Sequence, residues 1–350
     1  MKNILVAFDK FKGSLTSKEA CELVKNVLKD QYNVEILPLA DGGEGSLLTI
    51  EEALHAKKIT GEYHGPDFNK VKGYYLIKDD NAYIEMSNTA GLLLSKIHNP
   101  METTTLGVGE QILDAINKGC KNIYIFLGGS ATNDFGVGLA YSLGVKFLDQ
   151  DNQEFVPVGK TLNKITKIIK KQYRGINFYA LCDVDNVLFG ENGASYMYAK
   201  QKGASEKEVK ILDDNLRYLN NLINKDYQNV KGSGAAGGLA GGLNYFFDAK
   251  IISGVDFIIN QLNAQKLCDW ANVIISGEGK VDEQSLHGKV INYFLQNYQE
   301  KVVIFCGIST LKNPPFKVIE INPKNETIVE SIKNSAYNLS EAIKKYFQEE

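Results

Sequence analysis

The chain has 350 residues, of which 44% are hydrophobic and 23% are charged, and its formal net charge is -3. Because this length exceeds what one hydrophobic core usually organises, we expect a globular protein of two domains. The small net charge and the lack of any long run of like charges argue against nucleic acid or a membrane surface as a partner.

The N-terminal part of the chain predicts two strand-loop-helix units. Residues 4–8 form an apolar strand, and Thr16 with Glu19 has the spacing of a capping box that opens a helix after the intervening loop. Residues 34–39 predict a second strand, which is followed by the glycine-rich loop 40–45 and a helix over 46–56. Units of this kind bury their apolar faces in a parallel sheet with right-handed connections.

The pattern changes near residue 59. Short strands over 58–65, 71–77 and 82–86 are separated by turn-forming residues, which predicts antiparallel hairpins. We then predict a helix after Thr105, a strand over 123–127 with a helix from Leu139, a strand over 176–182 and a polar helix over 206–224. The small-residue run 232–242 contains Gly-x-Gly-x-x-Gly, but a polar segment precedes it instead of a strand. We therefore predict close helix packing there and not a dinucleotide site.

From residue 272 the first pattern returns. The sequence predicts a strand over 273–276, a loop over 277–285, a helix over 286–297, strands over 302–306 and 317–321, and a closing amphipathic helix. We therefore predict an α/β protein: residues 1–58 and 268–350 form a doubly wound parallel-sheet domain, and residues 59–267 form an inserted α+β domain.

Five predicted loops share one plan, because each follows an apolar strand and combines glycines or short polar residues with an acid or a lysine. They are the loops 9–14, 41–45, 128–134, 183–186 and 277–285. In open α/β sheets, ligands bind beyond the carboxyl ends of strands, so we expect these loops to meet at one cleft. Their backbone donors, lysines and carboxylates suit a phosphorylated ligand with magnesium. Asp134 has two interpretations, a cap of the next helix or a metal ligand.

Several other kinds of site are disfavoured. The histidines, at 55, 64, 98 and 287, lack zinc-ligand spacing, and Gly288-Lys289 lacks the upstream glycine and the Ser/Thr of a P-loop. Ser130 is not in a Gly-x-Ser-x-Gly motif, which weakens a hydrolase interpretation. The arginines, Arg174 and Arg217, lie outside the glycine-rich loops, so lysines, backbone N–H groups or a metal must hold anions.

The cysteines predict a cytoplasmic protein. They lie at positions 21, 120, 182, 268 and 306 and form no Cys-x-x-Cys pair, so we expect reduced and mostly buried thiols. The apolar run near the N-terminus is too short for a secretory signal, and no stretch approaches the length that spans a bilayer.

The order and wording of the loops resemble the type I family of bacterial glycerate kinases. The matching segments are Phe-Lys-Gly-Ser-Leu (11–15), Ala-Asp-Gly-Gly-Glu-Gly (40–45), Gly-Gly-Ser-Ala-Thr-Asn-Asp (128–134), Cys-Asp-Val-Asp-Asn (182–186), Gln-Lys-Gly-Ala (201–204), Gly-Ala-Ala-Gly-Gly-Leu (234–239) and Gly-Glu-Gly-Lys-Val-Asp-x-Gln-Ser-x-x-Gly-Lys (277–289). The resemblance implies ATP-dependent phosphorylation of glycerate, a flavodoxin-like domain and a restriction-enzyme-like insertion. Lys10 stands where the family usually has serine, and Lys280 where arginine is common.

Together with the chemistry of the residues, the resemblance predicts an active site in the cleft between the two domains, with ATP and Mg²⁺ as cofactors. The catalytic candidates are Asp183 or Asp185 as the base and Lys12 as a phosphate ligand. The candidates for binding substrate or phosphate are Ser14, Gly128, Gly129, Ser130, Thr132, Asn133, Lys280 and Lys289. The candidates for Mg²⁺ are Asp41, Glu44 and Asp282.

The product, the substrate class and the oligomeric state stay open. The resemblance favours 2-phosphoglycerate from (R)-glycerate, but the sequence does not distinguish the 2-hydroxyl from the 3-hydroxyl. A kinase of another small hydroxy acid or sugar, or a ligand-sensing relative without catalysis, would use similar loops. The lack of a DNA-reading helix or basic stripe counts against a regulator. Homo-oligomerisation is compatible with every one of these functions.

Overall fold

The computed structural model describes residues 1–39, 45–286 and 290–349, apart from the side chains of residues 52, 53 and 284. Internal contacts divide the chain into two compact units, Met1–Asp41 with Val255–Glu350 and Gly42–Gly254. These limits differ from the predicted domain limits, which follow residues 58 and 267. One reason is that the helix Ser46–Leu54 packs on strands of the second unit.

The strands of the described residues, numbered in chain order, are β1 (Asn3–Phe8), β2 (Asn33–Ile36), β3 (Lys57–His64), β4 (Lys70–Lys78), β5 (Asn81–Glu85), β6 (Asn122–Phe126), β7 (Lys146–Leu148), β8 (Lys167–Ile169), β9 (Asn177–Leu181), β10 (Lys250–Ile252), β11 (Val273–Val281), β12 (Val302–Ser309) and β13 (Lys317–Glu320).

The α-helices are α1 (Ser17–Leu28), α2 (Ser46–Leu54), α3 (Ser87–Ala90), α4 (Leu106–Asn117), α5 (Val137–Ser142), α6 (Ala194–Tyr198), α7 (Glu206–Leu222), α8 (Ala235–Phe247), α9 (Gly254–Gln261), α10 (Ala264–Trp270), α11 (Val290–Tyr298) and α12 (Ile328–Glu349). Short 3-10 helices include Lys200–Lys202 and Glu283–Leu286.

The described strands of the first unit form one parallel sheet in the order β2-β1-β11-β12-β13. Counted within the unit, this order is 2-1-3-4-5, which is the flavodoxin-like order, so the doubly wound prediction is confirmed. The direction of winding reverses between β1 and β11, where Phe8 pairs with Gly277. Ligands of such sheets bind beyond the carboxyl ends of the strands at this reversal.

Strand β11 is longer than predicted. The predicted strand ended at residue 276, whereas β11 runs to Val281 and pairs with β12 as far as Ser309. A Cβ atom on Gly277 would overlap the Phe305 carbonyl oxygen, and one on Gly307 would lie 2.6 Å from the nearest carbonyl oxygen of β11. The glycines that suggested a loop therefore permit a close approach of two strands.

Helix α1 begins as predicted, at a capping box. The Glu19 N–H donates to Thr16 Oγ1 (3.2 Å), and the Thr16 N–H donates to Glu19 Oε2 (2.8 Å). A cap of this kind stabilises a helix by about 1 kcal/mol. The buried face of α1, including Val24, lies in one core cluster with Leu339 and Ile343 of α12, so the N-terminal and C-terminal segments of the chain share a core.

The described strands of the second unit form a mixed six-stranded sheet in the order β10-β9-β6-β5-β4-β3, with β7 and β8 as a separate pair. The antiparallel pairing of β3, β4 and β5 confirms the predicted hairpins. The neighbours β5, β6, β9 and β10 are parallel, with Glu85 opposite Phe126, and Leu181 opposite both Phe126 and Ile252. The loops that follow these four strands therefore begin side by side at one edge of the sheet.

The cysteines are buried and free of disulfides, as predicted. Burial raises the pKa of Cys21 and of Cys182 to about 12, so these thiols are poor nucleophiles. Within the described residues, no helix has both the length and the apolar character that crossing a lipid bilayer requires.

Candidate active site

The glycine-rich loop 128–134 lies between β6 and α5, as predicted. Strand-like contacts hold it in place: the Leu92 N–H donates to the Gly129 carbonyl (2.8 Å), and the Ala131 N–H donates to the Ala90 carbonyl (2.9 Å). Gly129 is exposed at a φ of +67°, which favours glycine, and Gly128 is half-buried. The backbone at these two glycines is therefore the part of the loop that a ligand can approach.

The polar side chains of this loop are buried. Ser130 retains 7% of its surface, whereas Thr132 and Asn133 retain none. Asn133 Nδ2 donates to Ser195 Oγ (3.1 Å), while Asn133 Oδ1 and Thr132 Oγ1 have no hydrogen-bond partner within the described residues. Buried polar atoms without a partner are rare, so these two atoms mark a place that suits a polar ligand.

Asp134 caps two helices, which agrees with the first of its two interpretations. Its carboxylate accepts hydrogen bonds from the Thr105 N–H (3.0 Å) and hydroxyl (2.8 Å) at the start of α4, and from the Gly136 N–H (3.0 Å) at the start of α5. Burial raises the pKa of Asp134 against the opposing effect of these donors. We infer that Asp134 fixes the shape of the loop and leaves the contact with a ligand to its neighbours.

Lys202 is a site residue that the sequence analysis did not select. Its Nζ donates to Ser130 Oγ and to the Thr132 carbonyl, both at 2.7 Å, and its side chain is only 3% exposed. Burial lowers the pKa of Lys202 to about 7, although the nearby Asp134 carboxylate acts in the opposite direction. The place of Lys202 in the segment Gln-Lys-Gly-Ala (201–204), which matches the family, is the sequence signal that could have identified it.

The structure separates the two candidate bases. Strand β9 ends at Leu181, and Asp183 follows as a half-buried residue whose Oδ1 accepts a hydrogen bond from Ser253 Oγ (2.7 Å) just beyond β10. Asp185 is 79% exposed and lies 3.3 Å from Lys231 in an ion pair on the surface. Asp183 is thus held at the carboxyl ends of the strands, whereas Asp185 points to the surface ion pair instead.

The small-residue run 232–242 packs closely against the loops after β6 and β9, as predicted, but it is not one regular helix, because Ala236, Gly237 and Gly238 adopt left-handed backbone angles. A Cβ atom on Gly237 would overlap the Thr132 carbonyl, and one on Gly234 would overlap the Val187 carbonyl. Asn186, beside this contact, is buried, and neither its Oδ1 nor its Nδ2 has a partner within the described residues. The glycines therefore hold the loops after β6 and β9 against one segment.

Glu85 is a second residue that the sequence analysis missed. This buried carboxylate ends β5, and it accepts hydrogen bonds from the N–H groups of Gly45 (3.1 Å) and Leu47 (3.2 Å) and from the Ser87 hydroxyl (2.6 Å). Glu85, at the end of β5, thus caps the N-terminus of α2, where its negative charge is favourable. The metal candidates Asp41 and Glu44, which precede α2, lie outside the described residues.

In the first unit, the loop after β1 lies at the reversal of the sheet. Lys12 and Ser14 are exposed there, and the Ser14 N–H closes the turn by donating to the Phe11 carbonyl (2.8 Å). The β11 backbone lies close to this loop, since a Cβ atom on Gly279 would lie 3.2 Å from the backbone nitrogen of Lys12. The reversal therefore brings together residues from two of the predicted loops.

The other candidates of the first unit follow the same strand. Lys280 lies in β11, where Nζ is 2.9 Å from the Asp282 carboxylate just after the strand. Ser285 Oγ accepts a hydrogen bond from the Asp282 N–H (3.1 Å), so the end of β11 is a fixed turn. Lys289 lies outside the described residues.

Carboxylate oxygens are ligands that Mg²⁺ prefers, so Asp282 has the right chemistry for the predicted metal role. Among the described residues, however, no group of three or more His, Cys, Asp or Glu side chains is arranged to hold a metal ion. Asp282 also has Lys280 as an ion-pair partner, with which a cation at the same oxygen would compete. The described residues alone therefore do not provide a complete set of protein ligands for a metal ion.

A cavity of about 470 Å³ lies at the opposite edge of the second sheet. Its lining includes Asn177, where β9 starts, and Lys250, where β10 starts. Since ligands of parallel sheets bind at the carboxyl ends of the strands, this cavity is not part of the candidate site.

Comparisons with known proteins agree on one family. The sequence model of the glycerate kinase family matches residues 4–349. A protein of Escherichia coli K12 named glycerate 2-kinase is 36% identical over 326 aligned positions, with 88% of this chain and 85% of that protein covered. A glycerate kinase of Halalkalibacterium halodurans is 35% identical over 304 positions, with 83% and 80% covered. The crystal structure of a protein described as glycerate kinase 2 from Salmonella typhimurium LT2 has a TM-score of 0.81 and 29% identity, and covers 99% of this chain and 97% of that one.

Proposed function

Because this chain belongs to the glycerate kinase family and is therefore an ATP-dependent phosphotransferase, we propose that it transfers the γ-phosphoryl group of ATP to the 2-hydroxyl of (R)-glycerate. The observation that carries this proposal is the pairing of two loops at one sheet edge of the second unit. The loop after β6 carries hydrogen-bond donors that suit an anion, and the loop after β9 carries the Asp183 carboxylate, which the Ser253 hydroxyl holds in place. The name of the Escherichia coli relative supports 2-phosphoglycerate as the product.

Phosphoryl transfer depends on positioning and on neutralising charge, and less on covalent chemistry of the protein. The loop after β6 suits this task. Backbone groups at Gly128 and Gly129 are accessible, and the buried Lys202 forms a hydrogen bond with the Ser130 hydroxyl. We assign this loop to anionic oxygens of a substrate, because a preorganised loop pays little reorganisation energy when charge develops.

We propose Asp183 as the general base. As the 2-hydroxyl oxygen attacks the γ-phosphorus and the bond to ADP breaks, the hydroxyl proton passes to the Asp183 carboxylate. The hydrogen bond from Ser253 holds Oδ1 and so orients the carboxylate. Asp185 is a weaker candidate, because it is exposed and paired with a surface lysine.

We propose supporting roles for candidates of the first unit, whose described members follow β1 or lie in or just after β11, and for Glu44, which precedes α2. Lys12 would contact a phosphate group, and Ser14 and Lys280 would contact the glycerate carboxylate, with Lys289 as a further candidate. Asp282, with Asp41 and Glu44, would contact the Mg²⁺ that accompanies ATP. We place the reaction in the cytoplasm, where ATP is available.

The experiment that tests the proposal is a phosphorus NMR spectrum of the product made from D-glycerate, ATP and MgCl₂. A doublet from a secondary phosphate ester, matched by added 2-phosphoglycerate, is expected. A signal that coincides with 3-phosphoglycerate would overturn the regiochemistry. A coupled assay with hydroxypyruvate and simple sugars in place of glycerate tests the substrate, and a higher kcat/KM for any of these would overturn the glycerate assignment. Binding of ATP and glycerate without turnover would favour a sensor.

A further inference from the structure

Lys202 is a buried cation whose hydrogen-bond acceptors are both neutral. Its Nζ contacts the Ser130 hydroxyl and the Thr132 carbonyl, and no carboxylate accepts a hydrogen bond from it within the described residues. An ammonium group without a hydrogen-bonded carboxylate loses more hydration than such contacts return. The charged form of Lys202 is therefore only partly compensated in the free protein, next to the loop assigned to anion binding.

The other charged groups near Lys202 do not change this balance. Asp134 is the carboxylate whose field favours the charged form of the lysine. Lys200, on the same 3-10 turn, is exposed and pairs with Glu206 (3.0 Å). The neighbouring segment contributes the backbone oxygen of His98, against which Gly203 packs, while the His98 side chain is exposed.

The hydrogen bond between Lys202 and Ser130 has a fixed direction when the lysine is charged. An ammonium group has three donors and no lone pair, so the charged Lys202 must donate and Ser130 Oγ must accept, whereas a neutral amine could also accept. The single proton of the Ser130 hydroxyl then points away from the lysine, and it meets no acceptor within the described residues. Beside it, Thr132 Oγ1 is a buried polar atom that also lacks a partner there. The loop thus presents a hydroxyl donor that lacks an acceptor.

We propose that Lys202 is a positioning residue, which holds the Ser130 hydroxyl as a donor toward an anionic oxygen of the substrate and takes up a proton when that anion binds. The shared ligand chemistry is an anionic oxygen, either of the glycerate carboxylate or of an ATP phosphate. This inference rests on the proposed function, because it takes the anion to be a substrate group. The proton comes from solvent, and no bond to the substrate is made or broken in this step.

The coupling has a definite sign. Burial lowers the pKa of Lys202 to about 7, so at pH 8 most of the lysine is neutral in the free protein. A bound anion favours the charged form, so binding should raise the pKa and take up part of a proton. The KM for the anionic substrate should therefore rise with pH above about 7, by up to about tenfold per pH unit.

The first test is calorimetric titration at pH 8 of the full chain in two buffers with different heats of ionisation. D-Glycerate, ATP and inorganic phosphate are titrated separately, so that the carboxylate and phosphate sources are distinguished. We expect wild type to take up a substantial fraction of a proton with at least one ligand, and Lys202→Met to take up none. The inference is wrong if wild type takes up no proton with any ligand, or if Lys202→Met takes up as much.

The second test is a double-mutant cycle with Ser130→Ala. Each single variant should raise the KM for the same substrate by about 10- to 100-fold, with a smaller change in kcat, because a charge-assisted contact is lost. If the lysine acts through the hydroxyl, the double variant should lose no more affinity than the worse single variant. Additive losses would contradict the proposal. Ser130→Ala keeps the proposal testable if Lys202→Met does not fold, since it too should raise the KM and should take up less of a proton than wild type.

Lys200→Met is the matched control, because it removes an exposed lysine from the same turn. Its KM and proton uptake should equal those of wild type, and a loss as large as that of Lys202→Met would count against the inference. The phosphorus NMR experiment separates this inference from the proposed function. Proton uptake that depends on Lys202 without formation of phosphoglycerate would support the former and refute the latter.

Discussion

The sharpest prediction compares Asp183→Asn with Asp185→Asn. Asp183→Asn removes the group proposed to accept the hydroxyl proton, and the amide oxygen can still accept the Ser253 hydrogen bond (2.7 Å). We therefore expect stability near that of wild type and a fall in kcat of ~10² to 10⁴, which is the usual contribution of a general base. Asp185→Asn breaks a surface ion pair with Lys231, for which we expect a change in kcat below about threefold.

The assay is a coupled measurement of ADP release at saturating glycerate and ATP, with thermal unfolding of each variant as the control for folding. Ser253→Ala should lie between the two, because it leaves the base in place but removes a hydrogen bond to a charged group, worth about 1.5–3 kcal/mol. Near-normal turnover of both aspartate variants would refute the assignment of a base at this loop. A larger loss for Asp185→Asn than for Asp183→Asn would reverse it.

Three further predictions concern packing, pH and metal. Gly237→Ala should lower the melting temperature much more than Gly175→Ala. Both glycines have positive φ (+71° and +77°), but only at position 237 would the new Cβ overlap a carbonyl, that of Thr132. Equal losses of melting temperature in calorimetry would contradict the proposed packing. Between about pH 7 and 10 the unfolding free energy of wild type should rise relative to that of Lys202→Met, because the unfolded chain still binds the proton that the buried amine has released. The measurement is denaturant unfolding at several pH values, and an equal pH dependence of the unfolding free energy in the two proteins would refute the prediction. Activity should be lost in EDTA and return with MgCl₂, and full turnover in EDTA would refute the metal requirement.

The sequence predicted the frame of the site well, because the relevant signals are local. Glycines or short polar residues after apolar strands marked loops at the carboxyl ends of β1, β6 and β9, and the spacing of Thr16 and Glu19 predicted the start of α1. Such signals depend on neighbours within a few residues, so they survive without knowledge of the fold. A flavodoxin-like domain was predicted from the family resemblance, and the observed order of its strands confirms it.

The sequence could not predict contacts that join distant segments. Lys202 lies far along the chain from the Ser130 loop that it supports, and nothing local distinguishes it from the exposed Lys200. Asp183 and Asp185 are alike in sequence, and they differ because Ser253, just beyond β10, holds only the first. Glu85 likewise caps a helix that belongs to an earlier part of the chain. Each of these roles is fixed by strand order, which local patterns do not encode.

The distribution of buried polar groups in the second unit gives a physical reason for this division. Asp134 and Glu85 are buried carboxylates, yet each accepts several backbone hydrogen bonds at helix starts, so the fold itself compensates their charge. Lys202 has no such compensation from a hydrogen-bonded carboxylate within the described residues. Carboxylates with backbone donors, such as Asp134 and Glu85, can be kept in the fold without any ligand. A buried lysine without a hydrogen-bonded carboxylate lowers stability until an anion binds near it. Since a cost of that kind is retained where function requires it, the uncompensated lysine is a better guide to the ligand than the better-satisfied acids beside it.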